Sequence, residues 1–296
     1  MPRNPARLSE IEQAFSRKDL RRICEADEDS FGDAYDMQRV EVIAQRYPDN
    51  FYFYKDNGSN VLAVAHLDTV GEDRACRFVL TEGAGTVVFS QALDDRLGAY
   101  IILELLPKLG LTYDILLTVG EESGQSTAAF FEPPKGKHYD YMIEFDRGGT
   151  DVVMYQYDDR EVRDLVRESG AKVGTGSFSD ISYLEHLEIK GFNWGVGYED
   201  YHGPRAHAFL DDTFRMVGYY LAFAEQNEGV YMPHYPDPNE GRSYGWQDWQ
   251  ADQYGWDSDW PEVDGDRENP DDLDDDDWDE YPSLAAIERA LDAEPA

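Results

Sequence analysis

Five short clusters carry the side chains of this sequence that could ligate a metal or move a proton. The first is Ala65-His66-Leu67-Asp68, where the apolar, strand-like run Val61 to Ala65 ends. Side chains two apart on a strand point the same way, so His66 and Asp68 converge. A metal-binding imidazole is normally oriented through its other ring nitrogen by a carboxylate or a carbonyl. The second cluster runs from Gln91 to Gly98 and sets Asp94 and Asp95 between the strand pattern Val87 to Ser90 and a helix. The third, Gly120-Glu121-Glu122-Ser123-Gly124, follows a strand pattern that ends at Val119. Adjacent glutamates there can divide the work, one ligating metal while its neighbour takes a proton from water. The fourth, Ile143 to Gly149, delivers Asp146 at a strand end, and the fifth, Gly197 to His207, carries His202 and His207 in a late loop.

Singly, each cluster has an ordinary structural reading: a strand-end turn, an acidic helix start favoured by the helix dipole, a loop histidine. The set reads differently. His, Asp, Glu-Glu, Asp and His arise in order, four of the five clusters at strand ends. Five of these side chains make an oxygen- and nitrogen-rich site for two zinc ions sharing one carboxylate, and a sixth is left as a general base.

The elements that must position these residues alternate. Strand patterns fall at Val61 to Ala65, Tyr113 to Val119, Tyr139 to Phe145, Val152 to Tyr157 and within Leu187 to Val196. Helical stripes fall at 95–106, where Pro107 should end the helix, at Asp158 to Ser169 and at Asp211 to Gln226. Residues 7–47, and the N-terminal stretch 1–50 more broadly, look largely helical. Such alternation predicts an α/β fold, a layered αβα domain on a mostly parallel mixed sheet, with its site outside the carboxyl ends of the strands.

The stretches AHLDTV (65–70), ALDDRLGAY (92–100), TVGEESG (118–124), EFDRGG (144–149) and GYEDYHGPRAH (197–207) together resemble the co-catalytic di-zinc exopeptidases, a superfamily that includes bacterial leucine-type aminopeptidases, glutamate carboxypeptidases and related deacylases. GTGSFSDIS (174–182) resembles the segment between the last two ligands. Each motif is short, but five in the right order and spacing are jointly specific. The resemblance implies a phosphorylase/hydrolase-like zinc exopeptidase fold and two Zn2+, with Co2+ or Mn2+ as substitutes. His66, Asp146 and a bridging Asp94 would hold one ion, and Glu122, His202 and Asp94 the other. Asp68 would orient His66, and Glu121 would be the general acid/base. A cis peptide after Asp94 belongs to the same resemblance. His207 rivals His202 as the last ligand, and the Tyr-His-x-Pro spacing favours His202.

Relatives of carboxypeptidase type insert a lid domain of about a hundred residues, an ordinary domain size, between the last two ligand positions. Here 55 residues separate Asp146 from His202, and 27 separate His66 from Asp94. No inserted lid domain fits, and without one the usual clamp for a substrate carboxylate is missing. The expectation is therefore an aminopeptidase-type exopeptidase acting on a peptide. A deacylase or amidase acting on an acylated amino acid is the second reading. The third is a catalytically silent relative that binds a protein partner through its tail; retention of a candidate at every ligand position argues against it.

Charge divides the chain. Its 296 residues carry a formal net charge of −36, and 22 of the 62 acidic side chains lie between Asn227 and Ala296 with only three basic ones. This predicts a hydrolase domain over 1–226 and an acidic tail over 227–296, too poor in aliphatic residues to offset its chain entropy. The tail holds five of the six tryptophans, and Leu284, Ile287 and Leu291 fall on one face of a short helix over 283–292. A protein partner for the tail, or a groove on the body, would suit those tryptophans. The net charge disfavours nucleic acid and anionic membranes as partners. No stretch of 18 apolar residues occurs, since Glu104, Lys108 and Asp114 interrupt the best candidate. Nothing in the first residues reads as a secretion signal. A cytoplasmic protein is expected, with Cys24 and Cys76 as reduced thiols.

Overall fold

The computed structural model describes residues 5–44, 47–81 and 85–235. Three helices open the chain: α1 (Pro5–Ala14), α2 (Arg17–Glu25) and α3 (Ser30–Tyr35). Ser16 starts α2 by accepting the Asp19 N–H on its side-chain oxygen, which satisfies one orphan donor of the first turn. The helical reading of 7–47 then fails. Residues 38–55 form a hairpin of β1 (Gln38–Ala44) and β2 (Tyr47–Lys55). Arg39-Val40-Glu41-Val42 alternates with period two, and the run Phe51 to Tyr54 favours an extended chain, so local preference agrees with strand. The helical periodicity of the N-terminal residues stops at Tyr35, short of this hairpin.

The main sheet has eight strands in the order β1-β2-β6-β3-β7-β10-β8-β9. Its centre is β6 (Asp114–Thr118), β3 (Val61–His66), β7 (Tyr141–Glu144) and β10 (Gly191–Trp194), mutually parallel. Antiparallel neighbours flank them: β2 on β6, and β8 (Asp151–Val153) on β10, with the short β9 (Lys172–Val173) beyond. All six residues of β3 are buried, as a central strand covered on both faces requires.

Period-two alternation decides what each face meets. On one face, Phe145, Phe192 and Trp194 contact Tyr220 and Phe223 of the long α7 (Leu210–Gln226). α7 also packs on α1 and on α6 (Arg160–Ser169), which starts at Asp159 as N-cap and ends at Gly170 with φ +102°. On the other face, Glu144 and Thr118 meet Ser179 and Asp180 at the head of a 3-10 segment, Asp180–Leu187. A second 3-10 segment, Thr127–Phe130, packs beside it. The layered α/β architecture with a mixed sheet is present, and short 3-10 segments, rather than long helices, make the second covering layer.

Other boundaries differ from expectation in detail. The helix that carries Asp94 runs from α4 (Leu93–Tyr100) through a π-helical turn, Ile101–Leu105, into α5 (Leu106–Lys108), so it passes Pro107. The wider turn, with Leu106 N–H donating to Ile101 C=O, relieves the clash that proline causes in a tighter helix. The strand expected over Val152 to Tyr157 stops at Val153, and Tyr155, with φ +47°, opens a 3-10 turn. The late loop 197–207 contains strand structure. β11 (Tyr198–Glu199) and β12 (His207–Phe209) join β5 (Gly85–Phe89) and β4 (Arg77–Thr81) in a separate antiparallel sheet, order β11-β12-β5-β4.

The composition break at Asn227 precedes the last contacts of the described chain with the body. Met232 is buried and exchanges backbone bonds with Asp140 and Lys190, and the His234 N–H donates to Glu188 C=O. The remainder of the expected tail, including 283–292, lies outside the described residues. Cys24 and Cys76 are both buried free thiols. Among the described residues no helix is long and apolar enough to cross a membrane.

Candidate metal centre

The ends of the parallel strands β3, β6 and β7, the start of α4 and one loop from the second sheet converge at the carboxyl edge of the main sheet. β3 ends at His66. Its Nδ1 lies 2.9 Å from the backbone oxygen of Asp68; a proton on Nδ1 satisfies that carbonyl and leaves Nε2 with a free lone pair. The orienting group expected here was the Asp68 carboxylate, but its Oδ1 stands 3.6 Å from Nδ1. Asp68 Oδ2 instead accepts the Glu122 N–H at 3.2 Å, tying the end of β3 to the turn after β6.

Asp94 sits at the centre. The Asp94–Asp95 peptide is cis, and both residues leave helical geometry at the start of α4. Asp94 Oδ1 is 3.1 Å from His66 Nε2, and Oδ2 is 3.0 Å from His202 Nε2. One carboxylate therefore faces two imidazoles, one on each oxygen. On the His202 side, Glu122 Oε2 is 2.9 Å from His202 Nε2. On the His66 side, Asp146 Oδ1 is 3.7 Å and Glu121 Oε2 3.9 Å from His66 Nε2. Gly120, at φ +86°, turns the chain after β6 so tightly that a Cβ would meet Gln125 O at 2.5 Å, and this turn presents Glu121 and Glu122.

His202 itself adopts φ +61° in the turn after β11 and is the most exposed member, with 45% of its side chain accessible. His207 is elsewhere. It is buried on β12, stacks on Phe89 at 5.5 Å and pairs Nδ1 with Arg205 O at 2.9 Å. The structure thus brings His66, Asp94, Glu121, Glu122, Asp146 and His202 together, with Asp68 behind His66, and leaves His207 out.

The electrostatics of the cluster call for a cation. Burial, reinforced by neighbouring carboxylates, pushes Glu121 up to about 9, Glu122 up to about 7 and Asp146 up to about 7. Burial opposes a charged His66, but Asp146, Asp68 and Asp94 outweigh it and hold the ring's pKa well above the usual histidine range. Burial likewise works against the Asp94 charge, but His202 and His66 overcome it and keep the carboxylate low. Glu122 Oε1 is buried and without a hydrogen-bond partner. One donor atom from each of His66, Asp94 and Glu122 lies within 4.8 Å of the other two. Imidazole nitrogens and carboxylate oxygens in this arrangement suit zinc and similar divalent ions, so the residues fit a metal site.

Several supporting groups are given no role by the sequence reading. Asn193 on β10 clamps the Asp146 backbone, accepting its N–H at 3.0 Å and donating to its C=O at 2.8 Å. Tyr198 donates its hydroxyl to Asp146 Oδ1 at 2.8 Å. Asp180 is buried and accepts from Thr118 and Ser126, and buried Glu144 accepts from Ser179. Asp95, which reads as an ordinary acidic helix start, is wholly buried and receives the Gly98 N–H. An acid inside an apolar strand run, two residues before another acid as Glu144 is before Asp146, is a signal that could have found Glu144; the other groups carry none.

No family model matches the chain, and no curated protein is significantly similar to it. Solved structures do match. Aminopeptidase PepT from Bacillus cereus superposes with a TM-score of 0.51 at 11% identity, covering 74% of this chain and 98% of that one. A tripeptidase from Staphylococcus aureus gives 0.51 at 12%, covering 73% and 97%. A Zn-dependent exopeptidase from Parabacteroides distasonis overlaps less closely, with 0.41 at 14%, covering 75% and 90%. The chain shares the α/β fold of the aminopeptidase and the tripeptidase. At such identities the likeness is one of fold, and what the chain does must be argued from its own site.

Proposed function

We propose that the protein is a di-metal amide hydrolase, an exopeptidase of aminopeptidase type acting on peptides. The observation that carries this reading is Asp94, whose two oxygens face His66 at 3.1 Å and His202 at 3.0 Å. His66, Asp94 and Asp146 would hold one divalent ion, and Asp94, Glu122 and His202 the other, zinc being the natural candidate. Ions bound there supply Lewis acidity, polarising an amide carbonyl and making water easier to deprotonate.

The chain's own residues do the rest. Glu121 stands near the His66 side at 3.9 Å and is the carboxylate left for proton transfer. It takes a proton from water as the oxygen adds to the amide carbon, then passes that proton to the leaving nitrogen as the C–N bond breaks. With no ion bound, burial and the neighbouring acids hold Glu121 protonated; cations at the site would offset that and leave the carboxylate free to take a proton. Asp68 and the turn at Gly120 fix His66 and the glutamates, so little reorganisation accompanies the reaction.

The test is turnover of free-amine amino-acid anilides against N-acylated amino acids, with Glu121→Gln alongside. An aminopeptidase cleaves the anilides, and the variant loses on the order of a hundredfold or more in kcat, the scale of a lost general base. Cleavage of acylated amino acids alone would make the protein a deacylase. A metal-loaded protein inert to both, with Glu121→Gln indistinguishable from it, would refute the enzyme.

A further inference from the structure

The carboxylate of Asp146 receives a tyrosine hydroxyl. Tyr198 OH donates to Asp146 Oδ1 at 2.8 Å, and this same oxygen faces His66 Nε2 at 3.7 Å. Tyr198 is 3% exposed, so the bond is shielded from water. Its backbone is pinned to the loop directly after Asp146. Val196 and Gly197 donate to Arg147 and Gly149, and Tyr198 forms a parallel bridge with Gly148. A Cβ on Gly148 would lie 3.0 Å from Tyr198 O, so glycine there permits the close approach. The phenol is therefore aimed at Asp146 by the fold rather than by chance contact.

On the other side of its ring, Tyr198 meets Tyr201 edge-on at 5.6 Å, and Tyr201 meets His202 at 4.9 Å. β11 thus serves both halves of the centre. It sends a hydroxyl to Asp146 and, four residues on, an imidazole to Asp94 and Glu122.

We infer that Tyr198 is a positioning residue that fixes Asp146 as a ligand and so sets the affinity of the ion on the His66 side, without contributing to the ion on the His202 side. The inference rests on the di-metal reading above. A hydrogen bond to a ligating carboxylate fixes its rotation and limits the ways it can meet the ion, and loss of such partners typically weakens metal binding.

Tyr198→Phe removes only the hydroxyl and keeps the ring against Tyr201 and the backbone pins to 147–149. Zinc and cobalt affinities are measured on the full chain by chelator competition, with the absorption spectrum of the cobalt-loaded protein identifying which ion leaves first. One of two ions should bind about 10- to 100-fold more weakly in Tyr198→Phe, the range expected for a lost ligand partner, while the other is unchanged. Glu122→Gln should weaken the opposite ion, and the double variant should show both losses with their separate sizes. If the wild-type protein binds two ions and Tyr198→Phe holds both as tightly, or releases both in equal measure, Tyr198 does not have this role. If the wild-type protein takes up no ions at all, the di-metal reading itself falls and this inference falls with it.

Discussion

Replacing Glu121 with glutamine should stabilise the metal-free protein while abolishing turnover. Glu121 is pushed up from 4.5 to about 9, first by burial and then by Asp146, Asp180 and Asp94, against the partial relief of His66. In the unfolded chain the same carboxyl ionises near its ordinary 4.5. The folded state therefore binds more protons than the unfolded state between these values, and stability falls as pH rises through that window. At pH 8 the gap from 4.5 is 3.5 units, which at about 1.36 kcal/mol per unit sets a ceiling near 5 kcal/mol. Neighbouring acids share the proton and residual water solvates the group, so the realised penalty should be about 2–4 kcal/mol. Glutamine keeps the shape and cannot ionise, so it escapes the penalty. In chelator-treated protein, urea midpoints should rise for Glu121→Gln at pH 8 and converge on wild type below about pH 4, under both ionisation values. Saturating zinc should shrink the difference, because cations offset the buried charge. A variant no more stable than wild type at pH 8, or a gain that does not change with pH, would refute the reasoning.

Asp94→Ala should lose both ions, since its two oxygens face both histidines, and metal analysis of dialysed protein reads this directly. His202→Ala should weaken one ion and end activity with little effect on melting, because the side chain is 45% accessible. His207→Ala should keep its metal content but cost about 1–3 kcal/mol, the usual range for a buried packed side chain, as thermal unfolding will show. Truncation after Tyr235 should leave a folded, active protein. Truncation after Asn227 also removes buried Met232 and the contact of His234 with Tyr157 at 4.8 Å, and should lower stability by about 2–5 kcal/mol. Activity lost in the longer form with its metal intact would mean that residues beyond 235 wall the substrate site.

What the sequence exposed were the features that chemistry confines to a few residues. Strand runs such as Val61 to Ala65 and Ile115 to Val119 are buried on both faces and read as continuous apolar stretches, so the centre of the sheet and the acids at its edge were legible together. The hairpin 38–55 was hidden because the alternation from Arg39 to Val42 is only four residues long and the 98% exposed Ile43 ends it with an outward apolar side chain. The small second sheet was hidden because β11 and β12 are two and three residues long, below the length at which periodicity exists. The partners of Asp146 were illegible for a different reason. Asn193 and Tyr198 lie 47 and 52 residues away in sequence, and only the parallel pairing of β7 with β10 and the docking of β11 bring them to it. The choice between His202 and His207 rested on spacing alone, and the backbone separates them: one takes a left-handed turn into the centre, the other continues into a strand.

In the proposed centre, two metal ions would sit with Glu121 beside them as the proton carrier. Metal content of the purified protein, measured with that of Glu121→Gln and with the turnover of both on one free-amine substrate, tests it most directly. About two zinc ions per chain are expected in both proteins, as a two-metal site requires, with turnover confined to the wild type. Full turnover in Glu121→Gln, or wild-type activity that survives complete removal of metal, would contradict it.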